Sequence, residues 1–263
     1  VVESDNIPET AHALADAARR AILPYFRSRG LAEENKLTDH YDPVTEADRA
    51  AERAMRAILE DRRPQDGILG EEYGAKDGTS GLTWVLDPID GTRGFVSGTP
   101  TWGVLIAVAD ETGPVYGLID QPYIGERFEG GLGLNKMTGP LGSKELVTSG
   151  NSDLSACTLF TTFPEVGTAQ EQAGFQAVSE KVKLTRYGMD CYAYALLAAG
   201  QIDLVIEAGL QAYDIQAPIA VVQAAGGIVT DWSGNPAHDG GRAVAASGEA
   251  QHQAALKILS DFV

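Results

Sequence analysis

Two aspartates, Asp87 and Asp90, close the run Trp84-Val85-Leu86-Asp87-Pro88-Ile89-Asp90-Gly91-Thr92, three residues apart with a proline between them. A hydrophobic strand that ends this way raises the question of what balances the charge, because a buried carboxylate without a partner is very costly. One answer is a hard divalent cation. The proline fixes a turn that can aim both side chains and an intervening carbonyl at one point, and magnesium prefers such oxygen donors. The other answer is an ordinary strand-to-turn cap, in which each aspartate bonds to its own backbone as in an Asx turn. The residue types alone leave both open.

More carboxylates stand at expected strand ends and helix starts: Asp48 in Asp42-Pro43-Val44-Thr45-Glu46-Ala47-Asp48, Glu71 in Gly70-Glu71-Glu72, and Asp214 in Tyr213-Asp214-Ile215. Together with Asp87 and Asp90 they have the makings of a site for two or three magnesium ions, since an octahedral cation takes carboxylates, a carbonyl and water. Two-metal sites commonly drive phosphoryl transfer, one ion activating the attacking water and the other steadying the leaving oxygen. Each residue also has a plainer reading. Asp48 falls three residues after Thr45, as in a capping box, and adjacent glutamates in a loop are usually solvated.

The elements that must position these groups follow from periodicity. Apolar residues every four positions (Leu14, Ala18, Ile22, Phe26) predict a helix over 8–29, kinked at Pro24 and stopped by Gly30. A second helix follows Thr45, and residues 67–74 read as a short strand breaking into a loop. Strands over 102–109, 115–120 and 125–130, closely spaced with turn residues between them, predict an antiparallel meander. A Gly- and Ser-rich stretch over 139–152 marks a boundary between subdomains 1–145 and 146–263. Beyond it the expected order is strand 156–163, helix 168–182, helix 191–199, strand 202–207, helix 215–225, strands 227–231 and 243–246, and helix 249–262. Strands alternating with helices make an α/β second half.

The composition, 44% hydrophobic and 22% charged over 263 residues, is that of a globular protein with a sizeable core. No apolar run reaches about 18 residues, and the N-terminal residues lack the pattern of a signal peptide. The formal charge of −17 argues against nucleic-acid or anionic-membrane partners, which favour basic surfaces. An anionic substrate would then need bound metal to reverse the local field. Two cysteines, Cys157 and Cys191, are too few for a disulfide framework, and four scattered histidines (His12, His40, His238, His252) make no zinc motif. A reduced, cytoplasmic setting is expected. Pro218 and Gly226-Gly227 are assigned to packing and turns.

In order and approximate spacing, the four motifs around Asp48, Glu71, Asp87–Thr92 and Asp214 resemble the signature of the inositol monophosphatase superfamily, across essentially the whole chain. The resemblance implies an α/β fold, a layered αβαβα sandwich with an antiparallel sheet in the N-terminal half and an α/β sheet in the C-terminal half, commonly as a homodimer. It implies that Glu71, Asp87 and the Ile89 carbonyl hold one magnesium ion and that Asp87, Asp90 and Asp214 hold a second. A third, weaker ion would lean on Glu71 through water, with Glu72 in the outer shell. Asp48 and the Thr92 hydroxyl would orient and help deprotonate the attacking water, while the N–H groups of Gly91 and Thr92 receive phosphate oxygens.

Within that superfamily, the runs Asp90-Gly91-Thr92-Arg93-Gly94-Phe95 and Gly188-Met189-Asp190-Cys191-Tyr192-Ala193 resemble the histidinol-phosphate phosphatase branch. Where inositol-preferring relatives carry a small residue, this chain has Asp190, and Glu207 ends the next strand. A cationic amine and an imidazole would suit both carboxylates through charge-assisted hydrogen bonds. Asp190 also reads as a helix N-cap, a role compatible with the first, and Glu207 as a strand-end surface residue. Arg186 and Lys36 are candidates to face the phosphate or the metal cluster, or else lie on the surface. The expected reaction is magnesium-dependent hydrolysis of L-histidinol phosphate. The alternatives are inositol monophosphate, a sugar bisphosphate or a phosphoadenosine nucleotide as substrate, or a non-catalytic metal- and phosphate-binding regulator.

Overall fold

The computed structural model describes residues 7–29, 33–35 and 43–263. Lys36, His40 and Asp42 lie outside them. The first helix, α1 (Ile7–Ile22), buries the apolar stripe Leu14, Ala18 and Ile22. It ends at Ile22 rather than continuing kinked to residue 29, because Pro24 has no N–H to donate and biases Leu23 away from helical dihedrals. Isolated turns follow, with Tyr25 N–H bonded to the Ile22 carbonyl and Ser28 N–H to the Tyr25 carbonyl. Strands β1 (Glu33–Asn35) and β2 (Pro43–Thr45) pair antiparallel. Helix α2 (Glu46–Arg62) then starts on the capping box expected of Thr45 and Asp48.

Eight strands make the first sheet: β3 (Gly67–Gly70), β4 (Gly74–Lys76), β5 (Thr83–Asp90), then after the short helix α3 (Thr92–Val96) β6 (Gly103–Asp110), β7 (Gly113–Gln121), β8 (Glu126–Gly131), β9 (Leu134–Gly139) and β10 (Gly142–Glu145). Their order is β10-β9-β8-β7-β6-β5-β3-β4, antiparallel except where β3 runs parallel to β5. The second sheet holds β11 (Thr158–Thr161), β12 (Leu184–Tyr187), β13 (Leu204–Leu210), β14 (Ile228–Thr230) and β15 (Gly241–Ala246), in the order β12-β11-β13-β15-β14. Around it run α4 (Ala169–Ser179), α5 (Cys191–Ala198), α6 (Ala212–Ala224) and α7 (Glu249–Leu259).

The alternation of side chains along β5 explains the layering. Trp84 and Leu86 face α1 and α2 in one buried cluster with Leu14 and Met55. Val85, pointing the other way, joins Leu105 and Ile119 against Tyr194 of α5 and Ile215 and Val221 of α6. That same cluster takes in Phe160, Val205 and Ala245 of the second sheet, so α5 and α6 are buried on both sides. Phe175, Leu204, Trp232 and Leu259 form a third cluster under α4 and α7. The result is the αβαβα sandwich: helix pair, sheet, helix pair, sheet, helix pair.

Two glycines seat the middle layer. A Cβ on Gly117 of β7 would lie 2.4 Å from the Ala217 carbonyl oxygen, and one on Gly130 of β8 would lie 2.6 Å from Val221 Cα. The backbone of α6 therefore rests directly on the first sheet. Among the described residues, no helix is long and apolar enough to cross a membrane.

Candidate active site

The pairing of β5 with β6 breaks between Asp87, opposite Leu105, and Asp90, opposite Gly103. Such a bulge re-aims side chains at a strand end, and here it turns both carboxylates toward the N-terminus of α6. Oxygens of Asp87, Asp90 and Asp214 all lie within 4.8 Å of one another. Asp87 also accepts the Ile89 N–H at 3.0 Å. The Asx bond and the clustered carboxylates thus occur together, one oxygen serving the turn. Asp214, in the first turn of α6, accepts the Gln211 N–H at 2.7 Å, which orients it from its own helix start.

A cavity of about 610 Å³ opens over this cluster, walled by both sheets. Glu71, Asp87, Ile89, Asp90, Gly91 and Thr92 line it from the first sheet and α3, and Asp190, Glu207 and Asp214 from the second half. Gly91 adopts φ 87°, open to glycine, and a Cβ there would meet Asp190 Cγ at 2.8 Å. Both the turn and the approach of Asp190 therefore require a glycine.

So many carboxylates in one enclosure disfavour full ionisation. Burial, then the charges of Glu71, Asp90 and Asp214, hold Asp87 well above the usual carboxylate range. Burial, then Asp190 and Asp214, does the same to Asp90. The donors are all hard oxygens, packed more closely than their charges favour, and a divalent cation would relieve that repulsion. The residues fit the metal.

Asp48 does not line the cavity. It accepts the Thr45 N–H at 2.8 Å and the Thr45 hydroxyl at 2.6 Å, closing the capping box. Burial pushes its carboxyl up to about 7, opposed by the Thr45 bonds and reinforced by Glu71 and Glu72. Thr92 does line the cavity, and its hydroxyl donates to the Ile89 carbonyl at 3.0 Å. In this structure, Asp48 and Thr92 are thus engaged with different partners.

On the far wall, Asp190 is not the side-chain N-cap that its position before α5 suggested. It sits at φ 46°, ψ −141°, makes no capping bond with its carboxylate, and turns it over Gly91 instead. Burial raises it to about 6, against the pull of Arg93. The cap role passes in part to Asp90, whose carboxylate accepts the Cys191 N–H at 2.6 Å. Glu207 is no surface residue either: it is 7% exposed and accepts the Thr162 N–H at 3.0 Å and hydroxyl at 2.5 Å. Burial lifts it to about 7, with Thr162 opposing and Asp190 adding. For Arg186 the surface alternative describes its position. It lies exposed on β12, outside the cavity lining.

Among the lining residues that the sequence did not mark as candidates are Arg93, Thr162, Phe163 and Tyr194. The Arg93 guanidinium carbon stands 4.6 Å from the centre of the Phe163 ring, joining α3 to the loop after β11 across the cavity. Arg93 adjoins the Gly91-Thr92 step and was in plain sight. Thr162 and Phe163 follow a strand's C-terminal end beside Glu207, a position visible only once strand order is known.

Comparison with known proteins bears on this arrangement. The inositol monophosphatase family model matches residues 3–262. The chain is 42% identical over 234 residues to the bifunctional phosphatase IMPL2, chloroplastic, of Arabidopsis thaliana, covering 88% of this chain and 66% of that protein. It is 37% identical over 247 residues to a histidinol-phosphatase of Streptomyces coelicolor, covering 90% and 91%. Among solved structures, an inositol monophosphatase from Zymomonas mobilis superimposes with a TM-score of 0.86 at 39% identity, covering 99% of each chain.

Proposed function

Because the chain belongs to the inositol monophosphatase family, and is a phosphatase of that metal-dependent family, we propose that it hydrolyses L-histidinol phosphate to L-histidinol and phosphate. In this reading residues 1–145 form the subdomain that supplies most of the metal ligands, and 146–263 the one that supplies Asp214 and the substrate contacts. Glu71, Asp87, the Ile89 carbonyl, Asp90 and Asp214 hold two or three magnesium ions. Magnesium bound there supplies Lewis-acid polarisation of the phosphoryl group and a water of lowered pKa.

The chain's own residues do the rest. The N–H groups of Gly91 and Thr92 receive phosphate oxygens. Thr92, which lines the cavity, orients the attacking water through its hydroxyl, and Asp48 helps to deprotonate that water. Asp190 and Glu207 accept hydrogen bonds from the cationic alcohol that leaves.

The observation that carries the substrate choice is Glu207. It is a carboxylate buried at the cavity wall, held by Thr162, whose charge is costly until a cation arrives. An amine or imidazolium supplies that cation, and an inositol ring offers only hydroxyls. The 37% identity to a histidinol-phosphatase supports the same reading. A phosphate-release panel with magnesium tests it across histidinol phosphate, inositol monophosphate, fructose bisphosphate and phosphoadenosine phosphate. Histidinol phosphate should give the highest kcat/KM. A preference for inositol monophosphate would move the assignment to the second reading, which the fold match to an inositol monophosphatase favours. No phosphate release from any ester would favour a binding protein. The working form is proposed to be a homodimer, which light scattering of the purified chain checks.

A further inference from the structure

Glu71 follows the end of β3 and lines the cavity, and the turn that it opens is bonded on its other side to α2. Asp48, Glu52 and Arg56 recur every four residues and so share one face of that helix. Glu52 is fully buried and does not line the cavity. Its carboxylate accepts the Glu72 N–H at 2.7 Å, the Tyr73 N–H at 3.2 Å and the Arg56 Nε–H at 2.8 Å. Arg56 also donates to the Gly74 carbonyl.

The residue before Glu71 is shaped to the same carboxylate. A Cβ on Gly70 would stand 2.0 Å from Glu52 Oε1 and 2.9 Å from an Arg56 nitrogen. The backbone of Gly70 is not left-handed, so the glycine is there for space. Glu71 is therefore held between two neighbours that both lie against Glu52, while its own N–H bonds to the Leu86 carbonyl at 3.2 Å. A buried carboxylate that accepts two consecutive backbone N–H groups has little freedom to move, and it passes that rigidity to the turn.

We propose that Glu52 is the positioning residue for Glu71, clamping the turn at Gly70–Tyr73 so that the Glu71 carboxylate enters the cavity already oriented for a divalent cation. The proposal rests on reading Glu71 as a magnesium ligand. Partners that orient a ligand from behind typically govern metal affinity by about 10–100-fold.

The test is calorimetric titration of magnesium into chelator-stripped protein, read beside the chelator-stripped melting temperature. Glu52→Gln should bind magnesium roughly tenfold more weakly. Glu52→Gln combined with Glu71→Gln should bind no more weakly than Glu71→Gln alone, because the first acts through the second. General destabilisation would instead add to the Glu71→Gln loss. Gly70→Ala disturbs the same contact from the other side and should weaken magnesium binding likewise, should Glu52→Gln fail to fold. Unchanged affinity in Glu52→Gln or Gly70→Ala, or additive losses in the double variant, would overturn the positioning role. Unchanged affinity in Glu71→Gln would overturn the ligand reading beneath it.

Discussion

Asp87 carries the greatest burden of any single residue in the site. It is buried, bonded to the Ile89 N–H, and crowded by Glu71, Asp90 and Asp214. Asp87→Asn removes one charge from that crowd without changing its shape. Turnover should fall by a factor of about a thousand or more, the scale on which a displaced catalytic electrostatic group acts, while the chelator-stripped protein melts no lower than the parent. Near-normal phosphate release would refute the metal assignment. Glu207 asks a different question of the same cavity. Glu207→Gln keeps an acceptor for Thr162 but removes the charge, so kcat/KM should drop by tenfold or more on histidinol phosphate, about the worth of one charged hydrogen bond. On inositol monophosphate it should change little; equal losses on both esters would remove the basis for a cationic substrate.

Between residues and molecule stand the elements, and α6 is the one on which the geometry turns. Its first turn holds Asp214, and its middle rests on Gly117 and Gly130 without a side chain between. Gly117→Ala would thrust a methyl group at the Ala217 carbonyl and lift the helix, and overpacking of this kind costs about 1–3 kcal/mol. Because the lift also carries Asp214 away from Asp87 and Asp90, magnesium affinity should fall together with the melting temperature. A loss of stability with unchanged magnesium binding would show that Asp214 is set locally.

Elements of this sort differ in how far the sequence reveals them. Strands with a buried face, such as β5, β6 and β7, announce themselves by apolar runs. Strands β4, β10 and β12 have mostly exposed side chains and no apolar signal. They exist because neighbouring strands offer them an edge. The Thr45–Asp48 capping box was legible because it is a local device. Asp190 was not, since its carboxylate lies over Gly91, 99 residues earlier in the chain.

At the scale of the whole molecule, a chain of formal charge −17 concentrates several of its carboxylates in one enclosure. Asp48 and Glu207 are each held up to about 7, and Asp87 and Asp90 are raised too, burial being the first cause in every case. A carboxyl whose folded pKa exceeds its unfolded value stabilises the fold fully below the unfolded pKa, and that contribution is lost as pH rises through the folded one. The sign therefore runs opposite to a salt-bridged acid such as Glu129, lowered to about 2 by His12 and Lys136 against its burial. His252, lowered by burial, opposes the trend as one group against five, since burial raises Asp190 to about 6 as well. With chelator present, the melting temperature should decline from about pH 5 to about pH 7.5. Magnesium should restore it most at the upper end, where the carboxylates are free to bind it. A flat or rising profile in chelator would contradict the raised pKa values. Three of the four carboxylate motifs, those around Glu71, Asp87–Thr92 and Asp214, converge on the cavity, so its outline was legible in the sequence, while Asp48 stays with its capping box. That Asp190 and Glu207 also line the cavity depends on the packing of the second sheet, which no local pattern encodes.

The bond from the Cys191 N–H to the Asp90 carboxylate joins residues 101 apart in the chain. An amide proton that close to a carboxylate oxygen is strongly deshielded, and an ion that draws electron density from the same carboxylate weakens its pull. The amide-proton resonance of Cys191 should then move upfield along a magnesium titration and stay fixed in Asp90→Asn. A helix of the second half would carry, in one peak, a running record of the charge on the first.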